Sequence, residues 1–232
     1  MTDKPILFSG PMINALLDGR KTQTRRTSGL SDVNNWPDAW ALNNVGPLGY
    51  MAKKAVKNHF GATFESRKME AGMLHVCPQK LPYSVGDRLW VRETFTETQH
   101  GKAVFRADAR DETGQRWHSI AVGDPDREVK WTSPIFMPRK KSRLTLIVTD
   151  VRVQRVQDIS EADAIAEGAE CDTCIAMQQS ACRRRGCPAS KVAFQDLWNS
   201  IHGPEAWDRN DWVAAYTFTV HKQNIDKLGD AA

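Results

Sequence analysis

The sequence contains no uninterrupted apolar run of 18 or more residues, and its first residues, Met1 to Pro5, contain no apolar segment typical of a secretory signal. We therefore expect neither membrane insertion nor secretion, and we expect a cytoplasmic location. The sequence also contains neither a GxGxxG nor a GxxxxGK[ST] motif. Nothing in it indicates binding of a dinucleotide or of a nucleoside triphosphate.

A strong charge of one sign is also lacking. The formal net charge is only +4, which leaves a polyanionic partner open without establishing one. The 41% hydrophobic and 26% charged content is typical of a globular chain, so disorder is excluded. The chain has 232 residues, enough to bury a hydrophobic core without disulfides.

Short strands and a few short helices are the elements that periodicity predicts. Strands are expected at 6–8, 88–95, 143–153 and 212–220, and helices at 12–17, 160–167 and 194–201. Without a βαβ alternation, this order favours an α+β or small-barrel fold over a doubly wound sheet. We expect one domain over residues 1–222, with insertions at about 28–80, 99–135 and 169–190, followed by a flexible tail at 223–232.

Four of the five cysteines lie in one short window: Cys171, Cys174, Cys182 and Cys187. Two closely spaced pairs of thiolates suit a tetrahedral zinc ion, and a complete set of four makes the site structural. Incidental surface thiols or a redox pair are the alternatives, whereas the spacing matches neither ferredoxin pattern. Cys77 is isolated and is assigned no role. Three arginines lie between the last two cysteines: Arg183, Arg184 and Arg185. A metal knuckle would present them to phosphates. The alternative is a run of solvated charges without a ligand.

A polar segment, Arg20 to Arg26, contains four cations and two hydroxyl groups. An apolar core would not accommodate it, so we expect it to face water or a ligand. Lys21 and Thr24 are adjacent on a turn but on opposite faces of a strand. The neighbouring arginines lower the pKa of Lys21, which makes the lysine a candidate base for the Thr24 hydroxyl.

Glu167 lies in the last turn of its predicted helix. The negative end of the helix macrodipole disfavours a carboxylate there, which suits a general acid. The alternative is an exposed glutamate with no chemical role.

Four segments resemble the ASCH-domain proteins of the PUA-like superfamily, many of which are encoded in phages and prophages: 5–13, 17–26, 86–95 and 148–160. The most specific piece is the Gly-Arg-Lys-Thr-x-Thr-x-Arg signature of residues 19–26. The resemblance implies a small β-barrel with peripheral helices, a cleft beside the signature, and RNA or modified nucleosides as ligands.

One branch of that family, the small bacterial N4-acetylcytidine amidohydrolases, implies roles for three residues of this chain. Lys21 matches the proton acceptor, Thr24 the nucleophile and Glu167 the proton donor, and this chemistry needs no metal. The branch is about half as long as this chain and has no cysteine-rich element. The insertion after Glu167 could cap the cleft or redirect the fold to a polynucleotide.

Three functions are therefore open. The first is hydrolysis of an N4-acylated cytidine, and the second is a non-catalytic reader of modified bases in RNA or DNA, with phosphates held by Arg26, Arg92 and Arg183 to Arg185. The third is a ribonuclease, but this sequence has no recognisable histidine pair for that chemistry, because its six histidines are scattered. Three tryptophans in loop-like segments are candidates for stacking on bases: Trp36, Trp40 and Trp207.

The four-cysteine site predicts one zinc ion per chain. Metal analysis of purified protein should find zinc in the wild-type protein and in Cys77→Ser, because Cys77 is outside the site. Cys174→Ser should contain much less zinc, because three thiolates hold the ion more weakly than four. Equal zinc in the two variants would show that the four cysteines do not form the site.

Overall fold

A computed structural model of the chain describes residues 2–48, 59–67, 76–98, 100–108, 130–169 and 188–229. In these residues the protein is a mixed α+β structure with mostly strands and few short helices, which confirms the predicted class. No helix among them is long and apolar enough to cross a membrane. The four clustered cysteines and Arg183 to Arg185 lie outside the described residues.

The described elements follow the chain in this order. The strands are β1 (Asp3–Leu7), β2 (Gln23–Arg26), β3 (Trp40–Leu48), β4 (His59–Ser66), β5 (Val76–Lys80), β6 (Arg88–Arg92), β7 (Phe95–Glu97), β8 (Ala103–Phe105), β9 (Thr145–Arg155) and β10 (Trp212–His221). The helices are α1 (Gly10–Leu17), α2 (Ser31–Asn34), α3 (Glu161–Ala166) and α4 (Pro188–His202). Short 3-10 turns lie at Pro37–Ala39, Arg106–Asp108, Pro134–Phe136, Arg139–Lys141, Val156–Asp158 and Ile225–Lys227.

Three sheets contain all of these strands. The largest has the order β1-β6-β9-β10-β2, and the others are β3-β4-β5 and the β7-β8 pair. Strands β1 and β6 are parallel, while the β6-β9 and β10-β2 pairs are antiparallel. Since β1 and β2 are edges of the large sheet, the described strands are not closed into a barrel. The described strands therefore do not form the barrel that the family resemblance implies.

The chain divides into two compact units. Unit 1 consists of residues 1–19, 86–147 and 219–232, and unit 2 consists of residues 20–85 and 148–218. In unit 1, helix α1 follows β1 directly, with a proline in its first turn and Gly19 at φ 72° just after its end, as the sequence predicted. Apolar side chains of α1 and β6, among them Ile13, Leu16 and Leu89, are fully buried in this unit.

Unit 2 has a core in which helices α3 and α4 pack together. Phe194, Trp198 and Trp207 are buried in one cluster with smaller side chains around them. The helical spacing at residues 194–201 therefore predicted the buried face of α4, although Ile201 itself is exposed. Burial of Trp207 excludes the base-stacking role considered for it, because its ring already packs against Phe194.

The sheet β3-β4-β5 is the largest element that periodicity did not predict. It lies within the segment 28–80 that was expected to be an irregular insertion. Strand β3 contains two asparagines and a proline, and its register with β4 shifts between Leu42 and Asn44. Because such a strand is neither alternating nor rich in β-branched residues, its sequence contains no strand signal.

The chain from residue 223 to 229, expected as the start of a flexible tail, is packed within unit 1. Ile225 is fully buried, and the Asn224 side chain donates hydrogen bonds to the carbonyl oxygens of Arg139 and Ser142 at 2.9 and 2.7 Å. Ile225 therefore belongs to the core of unit 1.

Truncation of Ile225 tests that conclusion. Ile225→Ala should lower the free energy of unfolding by about 2 to 5 kcal/mol, because a buried isoleucine leaves a cavity. Lys227→Ala, two residues away and exposed, should change it by less than about 0.5 kcal/mol. Urea denaturation gives both values, and equal stability of the two variants would contradict the packed position of Ile225.

Candidate functional site

Strand β2 carries the polar signature into the large sheet. It pairs with β10 so that Gln23 lies opposite Thr217 and Thr24 opposite Tyr216. One residue before the strand, the Thr22 amide donates to the Ala166 carbonyl oxygen at 2.8 Å, which joins β2 to the end of α3. All of these residues belong to unit 2.

Helix α3 ends at the glutamate that the sequence singled out. The Ser160 hydroxyl accepts a hydrogen bond from the Asp163 amide at 3.1 Å and caps the first turn. Glu167 is the residue at the C-terminal cap, and Gly168 follows at φ 77°, a conformation that favours glycine. The helix thus begins and ends where the sequence indicated, and its last residue faces β2.

Lys21 and Glu167 form a buried ion pair. The Lys21 Nζ donates to the Glu167 Oε2 at 2.7 Å and to the Glu167 carbonyl oxygen at 2.7 Å. The two residues are 2% and 3% exposed. The ammonium therefore contacts both the carboxylate and one of the free carbonyl groups at the end of the helix, where a positive charge is favoured.

Arg25 extends this pair into a network. Its Nη1 donates to the Glu167 Oε1 at 3.1 Å and its Nη2 to the Asp163 Oδ2 at 3.0 Å. Gln23 donates to the Asp163 Oδ1 at 3.2 Å, and Arg152 donates to the same oxygen at 3.1 Å. One buried arginine thus bridges two carboxylates that lie four residues apart on α3.

The electrostatics of the network follow from its burial. Burial lowers the pKa of Lys21, and the Glu167 carboxylate opposes that shift. Burial raises the pKa of Asp163, but its hydrogen bond from Arg152 and the nearby charge of Arg25 outweigh this and leave the pKa below its ordinary value. At the end of α3, Lys21 and Arg25 both contact Glu167, so two cations lie at the negative end of the helix dipole.

The expectation that the segment 20–26 faces water or a ligand is wrong for most of its side chains. Lys21, Gln23, Thr24 and Arg25 are all buried. The reason is that α3 supplies carboxylates at the positions that the cations reach, so the charges are buried as partners.

Thr24 lies on the other face of β2. Side chains alternate along a strand, so Thr24 points away from the face on which Gln23 and Arg25 meet α3. It shares its face with Tyr216, its partner across the ladder, whose ring contacts Tyr83 at a centroid distance of 5.2 Å. Of the three residues of the triad, the structure joins Lys21 to Glu167 and places Thr24 on the Tyr216 face.

Arg26 lies close enough to both tyrosines for its charge to act on them. Burial raises the pKa of Tyr216, and the charge of Arg26 lowers it to a smaller extent. The same charge opposes the rise that burial causes in the pKa of Tyr83. Arg26 and Tyr83 are partly exposed, whereas Thr24 and Tyr216 are buried.

The remaining predicted residues are placed as follows. Arg92 belongs to unit 1 and stacks over the Trp90 ring at 4.4 Å from its centroid. His202 stacks on Trp198 in unit 2, and the described histidines form no metal-binding group with cysteines or carboxylates. Trp36 is 75% exposed and keeps its surface available, while Trp40 is half-buried. Cys77 is a free thiol.

Sequence reasoning missed Arg25, Asp163 and Gln23 as members of the site. A signal for them exists: Lys21, Gln23 and Arg25 alternate with period two, and Asp163 and Glu167 are spaced for one helix face. An extended chain over residues 21–25 would have placed Lys21, Gln23 and Arg25 on one face. Which helix they meet is not contained in that pattern.

Comparisons of this chain with protein-family models, with curated proteins and with solved structures found no match. The resemblance to ASCH-domain proteins therefore stays a prediction that rests on the four quoted segments.

The network predicts a strong coupling between Lys21 and Glu167. Glu167→Leu should lower the free energy of unfolding by about 3 to 5 kcal/mol, because it leaves the buried Lys21 ammonium without a carboxylate partner. Lys21→Met should cost less, because Glu167 keeps its hydrogen bond from Arg25. The double variant should lose less than the sum of the two. Arg152→Ala, at the partly exposed edge of the network, should cost about 1 kcal/mol or less. Additive losses in urea denaturation would contradict a direct pair.

Proposed function

We propose that unit 2 hydrolyses an N-acyl group on a cytidine-like base, with Lys21 as proton acceptor, Thr24 as nucleophile and Glu167 as proton donor. The observation that carries the proposal is the buried Lys21–Glu167 hydrogen bond of 2.7 Å. A lysine with a lowered pKa in contact with a carboxyl group is the pair of groups that amide hydrolysis needs.

The proton chemistry follows from that hydrogen bond. The first step is transfer of one proton from the Lys21 ammonium to the Glu167 carboxylate, which gives a neutral amine and a carboxylic acid. The Lys21 amine then takes the proton of the Thr24 hydroxyl while the threonine oxygen adds to the carbonyl carbon of the substrate amide. The C–N bond breaks, and the leaving amine receives the proton of Glu167. Water cleaves the resulting ester, releases the carboxylic acid and restores the hydroxyl group.

The three assignments are supported to different degrees. Lys21 and Glu167 are supported by their contact and their burial. Thr24 is supported by the family resemblance, because the alternation of β2 gives its hydroxyl no direct route to the face where Glu167 lies. The nucleophile is therefore the residue on which the experiment should concentrate.

A reader of modified bases is the second candidate. Arg25 bonds the carboxylates of Asp163 and Glu167, and a cluster with a purely structural role would have the same contacts. On the other face of β2, the partly exposed Tyr83 and Arg26 offer an aromatic ring and a cation, the groups that stack on a base and bind a phosphate. A reader would bind an acetylated base at this face and release it unchanged.

The experiment is incubation of purified protein with N4-acetylcytidine, with cytidine measured by chromatography. Thr24→Val removes the hydroxyl but keeps the shape of a buried side chain, so turnover should fall by about 1,000-fold or more if Thr24 is the nucleophile. Thr24→Ser keeps a hydroxyl and should keep turnover within about tenfold of the wild type. Lys21→Arg should be inactive, because a guanidinium does not accept a proton near neutral pH.

Three outcomes decide the matter. Full turnover by Thr24→Val would contradict the nucleophile while leaving the Lys21–Glu167 pair in place. No turnover by folded wild-type protein would contradict the hydrolase and favour the reader. If the protein is active, activity should be lost on the alkaline side at a pH below 10.5, the ordinary pKa of lysine, because the lowered pKa of Lys21 lets the pair lose its shared proton there.

A further inference from the structure

The segment from Lys130 to Arg143, in unit 1, combines exposed apolar side chains with positive charge. It contains five lysines and arginines and no acidic residue. Ile135 and Phe136 are adjacent in it and are 62% and 73% exposed. We call these two side chains the apolar tip. Two large apolar side chains exposed side by side indicate a surface that binds another molecule.

The apolar tip is held by its backbone. The Phe136 amide donates to the Ser133 carbonyl oxygen at 3.1 Å, and the Met137 amide donates to that of Pro134 at 3.0 Å, so the two residues lie in a closed 3-10 turn. Met137 itself is buried directly after the turn. The Phe136 ring therefore projects from a fixed turn, which reduces the entropy lost when it binds a partner.

Arg92 supports the tip from strand β6. Its Nη1 donates to the Ile135 carbonyl oxygen at 3.1 Å, while its guanidinium lies over the Trp90 ring. The arginine that the sequence proposed as a phosphate contact thus positions the apolar tip. Its substitution should affect binding through the tip.

The cations near the tip are only partly compensated. Three of them form ion pairs within unit 1: Arg139 with Asp3 and Asp226, Lys141 with Glu97, and Arg143 with Glu93 and Asp108. Lys130 and Lys140 are exposed, and neither has an ion-pair partner among the described residues. The segment that carries the apolar tip therefore also carries two cations that are available to an anion.

We propose that the apolar tip binds single-stranded nucleic acid, with Phe136 stacked on a base and Lys130 and Lys140 on phosphates. Two side chains are too small for a protein interface, which buries about 800 Å² on each partner. One exposed ring in a segment with two exposed cations matches the repeating unit of a polynucleotide, which combines a flat base and a phosphate. The proposal extends the substrate class from a free nucleoside to a base within a strand, and it does not depend on hydrolysis in unit 2.

The test is fluorescence anisotropy of labelled oligouridylate and oligothymidylate with the full chain. Phe136→Ala should weaken binding by about tenfold, the effect of losing one stacked base. Phe136→Leu keeps an apolar side chain but has no ring, so it should weaken binding nearly as much, whereas Phe136→Trp should keep it. Lys140→Ala should lower the slope of log Kd against log salt by about 0.7. Ile201→Ala, an equally exposed apolar position in unit 2, is the matched control and should bind as the wild type does.

The outcomes separate this proposal from its competitors. Wild-type affinity of Phe136→Ala, or no binding by wild-type protein, would overturn it. Binding of both the wild type and Phe136→Leu to phosphatidylserine vesicles, in place of oligonucleotides, would also overturn it. An anionic membrane needs apolar area and not an aromatic ring. Loss of oligonucleotide binding in Phe136→Ala without any turnover of N4-acetylcytidine by the wild type would refute the hydrolase and support this site. Tighter binding of oligouridylate than of oligothymidylate would indicate RNA.

Discussion

The burial of two cations is the constraint on which unit 2 depends. Lys21 and Arg25 are almost completely inside, and an isolated buried charge costs several kcal/mol or more. The cost is offset because Glu167 and Asp163 meet them at 2.7 to 3.1 Å. The two carboxylates come from one helix and the two cations from one segment. Strand β2 and helix α3 are therefore fixed relative to each other by charge as well as by packing.

That constraint also explains details at the ends of the two elements. Helix α3 must stop at Glu167 for the carboxylate and the carbonyl oxygen of the same residue to reach one ammonium, and Gly168 allows the chain to turn away there. At the other end, the Ser160 cap fixes the first turn and with it the rotation of the helix. The short helix is thus stabilised mainly by what it contacts, since six residues are too few for a stable helix alone.

The sequence predicted this site in part. Helix α3 and its glutamate were predicted because a serine cap, acidic first turn and glycine stop are local signals. Burial of Lys21 and Arg25 was not predicted, because a run of cations is usually solvated and its partners lie more than 130 residues away in the chain. For the same reason Asp163 was overlooked: as a member of a capping pattern it already had a local explanation. Sheet β3-β4-β5 was missed because its first strand, β3, lacks alternation.

Strand β2 has two chemically different faces. On one face Arg25 contacts the carboxylates of Asp163 and Glu167, and Lys21, two residues before the strand, contacts Glu167. The other face carries Thr24 beside Tyr216, with Arg26 and Tyr83 open to water in part. Under the proposed function a ligand would approach the second face, because the charged groups of the first face are buried as partners of one another. Strand β2 is an edge of the large sheet, and among the described strands it pairs with β10 alone. In the proposed mechanism, the Lys21 amine must turn towards Thr24 after it has passed its proton to Glu167, and the carbonyl oxygen of Glu167 would then lose its donor. Such a rearrangement is possible at the end of a helix, where carbonyl groups can turn to water, and it would be far more costly within the helix.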